Sequence, residues 1–200
     1  APQVRPQQPR KLLVFSATRG FRHSSIPIGV HAMKALGEKT GAYSAVASED
    51  ISVFEPESLR QFDAVLMLNT TGELFRPTNY KDLPDTERKR ADATDARLRK
   101  SLLDFVSDGK GLAGIHAATD CFYEWPEYGE LIGGYFDGHP WHEKVTIRVN
   151  DRKHPVCRCF EDETFEIVDE IYQLRDPWSR TRQRVLLTLD TSSTNMLKEG

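Results

Sequence analysis

The chain has 200 residues and a formal net charge of −3 at pH 7, with 38% hydrophobic and 28% charged residues. This size and composition are typical of one globular domain that folds around its own core, without disulfide or metal cross-links. Lysine and arginine are scattered, and no apolar run approaches the roughly 18 residues of a membrane span, so we expect neither nucleic-acid binding nor a spanning helix. The odd number of cysteines, Cys121, Cys157 and Cys159, does not form a disulfide framework, and Cys-Arg-Cys is too closely spaced for a zinc clamp.

The two ends of the chain differ in composition from the rest. Residues 1–10 are rich in proline and glutamine and predict a flexible leader, and residues 191–200 predict a polar tail. The expected domain is therefore 11–190. No signal peptide is recognisable, but such a leader is also typical of a chain after signal cleavage, so cytoplasmic and exported locations both stay open. The sequence makes no prediction of the oligomeric state.

Strands and helices alternate along the first half of the chain. Short apolar runs predict strands at 11–16, 43–47, 62–68 and 112–115, and helical spacing predicts helices at 26–39 and 93–107. The polar segment 73–91 contains two prolines and is expected to be a surface insertion. The alternation is typical of right-handed βαβ units, and it predicts a three-layer α/β fold with a mainly parallel sheet. Ligands bind such sheets at the carboxyl ends of the strands, where three polar motifs lie.

The second half of the chain is less regular. Residues 126–135 predict a helix, and residues 144–149, 163–174 and 184–189 predict strands.

The first polar motif, Thr-Arg-Gly-Phe-Arg-His-Ser at 18–24, separates the first strand from its helix. Gly20 permits a tight turn, and the helix N-terminus offers N–H groups to an oxygen-rich ligand. Arg19, Arg22 and His23 add hydrogen-bond donors. The alternative is that a serine merely caps the helix and the arginines are solvated.

The second motif, Asn-Thr-Thr-Gly at 69–72, follows the third predicted strand. The side chains of Asn69 and Thr70 are suited to binding sugar hydroxyls or to polarising a carbonyl. A plain turn uses the same residue types, so this motif leaves both interpretations open.

The third motif, Gly-Ile-His-Ala-Ala-Thr-Asp at 114–120, resembles a nucleophile elbow, in which a strand runs into a sharp turn. The apex residue here is His116, and imidazole can act as acid, base or metal ligand near neutral pH. Asp120 closes the motif and is a candidate substrate contact. The alternative is a hydrogen-bonded structural histidine at a strand end.

Further candidate contacts are aromatic or paired with aromatic residues. His139 and His142 lie beside Tyr135 and Phe136, and aromatic faces stack on the apolar faces of pyranose rings. Tyr123 and Trp125 are expected either to form another wall of the pocket or simply to pack.

The last motif, Asp-Glu-Ile-Tyr at 169–172, is predicted to lie on a strand. Glu170 and Tyr172 are two residues apart, so they share one face and could both reach the pocket. A surface acid beside a core tyrosine is the alternative.

These four motifs, together with a fifth, Gly-His-Pro at 138–140, resemble the trehalose-utilisation, or ThuA-like, family, in the family's order and over roughly residues 11 to 190. The resemblance implies a flavodoxin-like fold of the class I glutamine amidotransferase-like superfamily, and a role in metabolism of trehalose, related disaccharides and their 3-keto forms. Amidotransferases of that fold carry a cysteine at the elbow and a His-Glu pair further on. Here the elbow residue is His116 and Cys121 comes five positions later, so we do not expect glutamine hydrolysis through a thiolate.

The chain departs from the family pattern at its end. Family members normally continue into a further strand and a Gly-His pair, so we expect this sequence to lack the usual C-terminal segment, with one pocket histidine missing.

Two functions are carried forward. As an enzyme with lyase, isomerase or hydrolase chemistry, the protein would use His116 as acid/base with His23 and His139 assisting, and would need no cofactor. In a variant, the same three histidines bind a divalent metal. The predicted substrate contacts are Arg19, Arg22, Asn69, Thr70, Asp120, Tyr123, Trp125, His142, Glu170 and Tyr172. The alternative is a catalytically silent carbohydrate-binding or scaffold module; nucleotide binding has only the fold in its favour.

Overall fold

The computed structural model describes residues 7–8 and 10–194, and the chain divides into two compact units, Ala1–Ile132 and Gly133–Gly200. The expected leader and tail fall largely on residues 1–6, 9 and 195–200, which lie outside the described residues. The domain bounds of 11 and 190 stay predictions. Within the described part of the chain, no helix has both the length and the apolar character needed to cross a membrane.

The first unit is built on a four-stranded parallel sheet. Its strands are β1 (Arg10–Phe15), β2 (Tyr43–Ser48), β3 (Ala64–Leu68) and β4 (Gly111–Ile115), in the order β2-β1-β3-β4. The helices are α1 (Ile26–Thr40), α2 (Pro56–Leu59), α3 (Asp85–Ser107) and α4 (Pro126–Ile132). The prediction of an α/β fold with a mainly parallel, flavodoxin-like sheet is confirmed.

Successive side chains along each strand point to opposite faces of the sheet, so both faces carry apolar residues. Both faces are covered by other elements. On one face, Val14 and Leu68 pack with Val30 and Met33 of α1. On the other face, the Phe15 ring lies 4.8 Å from that of Phe54, whose 3₁₀ turn contacts α2 and α3. The sheet is therefore the middle of three layers.

The expected surface insertion at 73–91 is wrong in two respects. Helix α3 begins at Asp85, directly after Pro84, rather than at residue 93. The start of the helix faces solvent and carries many charges, and this composition led to the prediction of a loop. In addition, Leu74 and Phe75 are buried, and the Phe75 ring lies 4.8 Å from that of Phe122. Because most residues of the segment are polar, its composition gave no sign of these two core residues.

The helix predicted at 126–135 ends at Ile132, because Gly133 and Gly134 have φ values of 94° and 150°. Such left-handed and extended positive-φ conformations are open to glycine and stop a helix.

The second unit is antiparallel. Strand β5 (Tyr135–Phe136) pairs with β8 (Leu174–Arg175), and β6 (Trp141–Val149) lies between β7 (Thr164–Ile171) and β9 (Leu187–Leu189). The predicted strand at 163–174 is thus two strands. Cys157 is buried and Cys159 exposed, and these thiols and Cys121 are all free, as expected.

Candidate functional site

Three loops of the first unit meet at the carboxyl ends of β1, β3 and β4. Thr18 forms a parallel bridge with Thr71, and Gly72 forms one with Cys121. The Arg19 N–H donates to the Thr71 carbonyl at 2.7 Å, and the Gly72 N–H donates to a carbonyl of the third loop at 2.8 Å. The loops are therefore cross-linked by backbone hydrogen bonds into one surface, at the edge where open α/β sheets bind ligands.

Strands β3 and β4 end at the same level of the sheet. Leu68 pairs with Ile115, and the next residue of each strand, Asn69 and His116, has a φ of 50°. Residues other than glycine rarely adopt this left-handed conformation, although asparagine and histidine are among those that tolerate it best. The sharp turn predicted at His116 is present, and β3 has a matching one at Asn69.

The first unit brings together two of the three predicted catalytic histidines. The His23 and His116 rings lie 4.9 Å apart, edge to face at 82°, and the Phe21 ring packs 4.8 Å from that of His23. Both histidines are half-buried. They follow β1 and β4, the strands that flank β3, so they meet over the end of β3. Two adjacent imidazoles can supply an acid and a base to one substrate.

The Asn69 side chain is buried and is held by a residue at the start of α1. It is 5% exposed, and its Nδ2 donates to Ser25 Oγ at 2.9 Å. Its Oδ1 is buried and has no hydrogen-bond partner among residues 7–8 and 10–194. Ser25 occupies the N-cap position of α1 but makes no side-chain cap. Its hydroxyl therefore serves Asn69 rather than the helix.

The Thr70 side chain lies in the core rather than at the surface formed by the three loops. Thr70 is fully buried, and its hydroxyl lies 3.5 Å from Cys121 Sγ. The neighbouring Thr71 is buried as well: its Oγ1 donates to the Phe21 carbonyl at 2.8 Å and accepts from the Gly20 N–H at 3.1 Å. The structure thus places Thr70 in the core, and Thr71 as a support of the first loop.

The two predicted arginine contacts are exposed and already engaged. Arg22 Nη2 lies 2.6 Å from Glu49 Oε1, and Arg19 Nε donates to the Arg76 carbonyl at 3.2 Å. The exposed Arg22–Glu49 ion pair contributes little to stability, and Arg19 makes a hydrogen bond to a backbone carbonyl rather than an ion pair, so both guanidinium groups are available to exchange partners.

The predicted wall after the elbow is only partly at the surface. Tyr123 is exposed and its hydroxyl donates to Asp120 Oδ1 at 2.6 Å. Trp125 is 3% exposed and packs 5.1 Å from Phe122 and 5.7 Å from Tyr128. Of the two expectations for Trp125, packing is the one observed, because its indole completes an aromatic core that the sequence does not reveal.

The buried thiol beside the elbow is chemically quiet. Desolvation by burial raises the pKa of Cys121 to about 12, outweighing its hydrogen bonds with Thr70 and Tyr128. A thiol needs its thiolate form to act as a nucleophile. In the protonated form that burial favours, Cys121 is a poor nucleophile.

A buried carboxylate supports these loops from α3. Asp95 Oδ1 accepts from Arg99 Nε at 2.8 Å, and its Oδ2 lies 3.4 Å from Arg76 Nε. Arg76 also pairs with Glu124 at 2.8 Å, and Arg99 with Glu73 at 3.1 Å. Burial is the main cause that raises the pKa of Glu73. The network ties α3 to the segments that follow Gly72 and Asp120.

The second unit holds the remaining predicted residues. The exposed His139 ring stacks 5.7 Å from Phe136 and 5.9 Å from Tyr172. His142 Nδ1 lies 3.8 Å from Glu170 Oε1, across the β6–β7 pairing. Glu170 lies near His142, and Tyr172 packs against Phe136 and His139. That Glu170 and Tyr172 reach one pocket stays a prediction. The grouping of His139 with His23 and His116 stays a prediction.

With this geometry described, comparison with known proteins becomes informative. Residues 11–200 match the ThuA family, whose description is trehalose utilisation. The chain belongs to the ThuA family. Its structure is similar to the crystal structure of a protein described as ThuA-like from Bacteroides uniformis, with a TM-score of 0.68 and 22% identity over 94% of this chain and 71% of that chain. That likeness shows the fold, and no curated protein sequence matches the chain. ThuA membership marks it as a carbohydrate-related domain.

Two residues of this ThuA site are not among those predicted from the sequence. Ser25 orients Asn69, and Glu49 holds Arg22 and lies 3.5 Å from Ser16 Oγ. Glu49 directly follows β2, so the rule that ligand-binding residues follow parallel strands could have found it. No local signal identifies Ser25, because an N-cap serine ordinarily caps its helix.

Proposed function

We propose that this ThuA-family protein acts on a disaccharide or keto-sugar through acid/base chemistry by His116 and His23. The observation that carries the proposal is the 4.9 Å approach of these two imidazole rings over the end of β3. Ligands bind parallel sheets at this edge, and two titratable groups within reach of each other there are candidates for the acid and the base of a reaction.

A keto-sugar gives these two groups complementary tasks. The C–H bond next to a ketone is acidic enough for the neutral imidazole of His116 to remove its proton. The electron pair of that bond forms a carbon–carbon double bond as the glycosidic C–O bond breaks. The protonated imidazole of His23 then gives its proton to the leaving oxygen. The step is an elimination that balances without oxidant, reductant or cofactor.

Substrate contacts are proposed from both units separately. In the first unit, Asn69 and Arg19 would hold hydroxyl or keto oxygens. In the second unit, the exposed His139 ring with Phe136 and Tyr172 offers flat faces of the kind that stack on pyranose rings.

The test follows trehalose and 3-ketotrehalose by NMR with the purified protein and with His116→Asn. Asparagine tolerates the left-handed backbone of His116 but cannot exchange a proton near neutral pH, so we expect turnover to fall about 100-fold or more. His31→Ala is the matched control, because His31 is exposed on α1, and it should retain full turnover. Equal turnover by parent and His116→Asn would refute the role of His116.

The same assay addresses the metal variant. Chelator and added Zn²⁺ should leave turnover unchanged if the imidazoles act as acid and base. Loss of turnover with chelator, restored by Zn²⁺, would instead assign the histidines to a metal.

A silent binding module is the second candidate, favoured by the exposed stack of Phe136, His139 and Tyr172 in the second unit. It predicts that both sugars bind, that neither is converted, and that His139→Ala weakens binding while His116→Asn does not.

A further inference from the structure

We propose that Ser25 is a positioning residue that, through Asn69, sets the distance between the His23 and His116 imidazoles. The inference rests on the proposed function, in which these two groups are the acid and the base. It goes further by assigning the approach of the pair to a residue that itself exchanges no proton.

Ser25 is linked to both histidines by a short series of hydrogen bonds and chain steps. Its Oγ accepts from Asn69 Nδ2 at 2.9 Å. The Asn69 N–H in turn donates to the Ile115 carbonyl at 3.3 Å, and Ile115 directly precedes His116. On the other side, Ser25 lies two residues after His23, in a turn that leads directly into α1. The Asn69 side chain therefore cross-links the segments that carry the two imidazoles.

The segment that carries His23 is attached at two points, and both attachments come from the residues that follow β3. Before His23, Thr71 Oγ1 donates to the Phe21 carbonyl at 2.8 Å. After His23, Asn69 donates to Ser25. His23 lies two residues from each attachment. Loss of the bond to Ser25 would therefore free one end of the segment while Thr71 still holds the other.

Ser25 forms this cross-link in place of the usual helix cap. At the N-cap of a helix, a serine side chain ordinarily accepts from a backbone N–H of the first turn. Ser25 occupies that position in α1 without making a side-chain cap, and its hydroxyl instead bonds a residue 44 positions away in the chain. Asn69 is 5% exposed, and a buried amide that loses its acceptor is unfavourable, so the bond also fixes the turn at Asn69.

The experiment measures the approach of the two rings by NMR and the turnover of 3-ketotrehalose by steady-state kinetics. Imidazoles 4.9 Å apart, edge to face, are close enough for a nuclear Overhauser cross-peak between their ring protons. Ser25→Ala removes the hydroxyl, and Ser25→Thr keeps one. Asn69→Gly removes the amide but accepts the left-handed backbone and keeps the N–H that bonds Ile115. Ser24→Ala is the matched control, because Ser24 is exposed and takes no part in the bond to Asn69.

We expect the cross-peak to lose most of its intensity in Ser25→Ala and Asn69→Gly, and to keep it in Ser25→Thr and Ser24→Ala. A misplacement of ~1 Å costs up to about 100-fold in rate, and one attachment remains, so kcat of Ser25→Ala should fall about tenfold. KM should change by less than about twofold, because Ser25 acts on the imidazoles and not on the sugar. Adding Ser25→Ala to Asn69→Gly should lower kcat no further, since both remove the same hydrogen bond.

The outcomes separate this inference from the proposed function. A serine with a purely structural role would lower Tm in Ser25→Ala but leave the cross-peak and the kcat of the folded protein unchanged; that result would overturn the inference while the proposed function stands. Absence of the cross-peak from the parent would also overturn it. If the cross-peak is lost as expected but the parent converts neither trehalose nor 3-ketotrehalose, the proposed function fails, and control of the ring distance by Ser25 stands.

Discussion

Replacing Gly114 with alanine tests whether tight packing behind the elbow sets the position of His116. A Cβ at Gly114 would lie 2.5 Å from Ile132 Cδ1 and 2.7 Å from Ala118 Cβ. Carbon atoms in contact are normally at least about 3.5 Å apart, so each approach is too short by roughly 1 Å. Ile132 can rotate its terminal methyl away. Ala118 can yield only if the turn His116–Thr119 moves.

The magnitude follows from two opposing effects. Overpacking of this kind destabilises by about 1–3 kcal/mol, and removing a strand glycine recovers about 0.5–1 kcal/mol. We therefore expect a net loss of about 1–2 kcal/mol, which lowers Tm by roughly 2–8 °C in a protein of this size. A shift of the turn by ~1 Å would also reduce any activity that depends on His116, by up to about 100-fold.

The assay is urea unfolding of the parent, Gly114→Ala and two controls. Gly111→Ala lies on the same strand, but its Cβ would be 3.1 Å from Ala64 Cβ, so its effect should be smaller. Adding Ala118→Gly to Gly114→Ala removes the contact that cannot relax, and the cost of the two changes should be less than additive. The reasoning is refuted if Gly114→Ala is as stable as Gly111→Ala, or if the free-energy costs of Gly114→Ala and Ala118→Gly simply add in the double variant.

Two further predictions concern the support of the site. Asp95→Asn removes the buried charge between two arginines and should destabilise the protein by about 3 kcal/mol in urea unfolding, whereas Asp104→Asn, which breaks an exposed pair on the same helix, should change stability by less than about 0.5 kcal/mol. Cys121, with its pKa raised to about 12, should resist a thiol reagent in the native protein at pH 8, while the exposed Cys159 reacts within minutes; equal rates for the two would contradict the burial of Cys121.

The layered fold could be predicted from the sequence because its signals are local. Apolar runs mark all four parallel strands, and helical spacing with Gly41 marks α1, whose C-cap has a left-handed φ of 66°. The start of α3 could not be predicted, because a solvated helix turn and a loop have the same polar composition. Leu74 and Phe75 were concealed for the same reason.

The candidate site could be predicted only at the level of single loops. The turn at His116 has a sequence signature, and the rule about strand ends places His23 and Asn69 at the same edge. The approach of His23 to His116 depends on the strand order β2-β1-β3-β4, in which β3 lies between the strands that carry the two histidines. Trp125 was ambiguous because an aromatic residue after an elbow suits a pocket wall and a core equally well.

The packing of the first unit explains how the left-handed backbones at Asn69 and His116 are held in place. Both residues have left-handed backbones, and no residue in the described part of the chain pairs with the Asn69 oxygen, so each would relax if its loop were free to move. The loops are held by backbone bridges, by the aromatic core around Phe122 and by the Asp95 network. A site prepared in this way has its groups in place before a ligand arrives, so binding spends little free energy on ordering them. Mutations in the support should therefore impair ligand recognition as well as stability, whereas mutations of the exposed arginines should alter recognition alone.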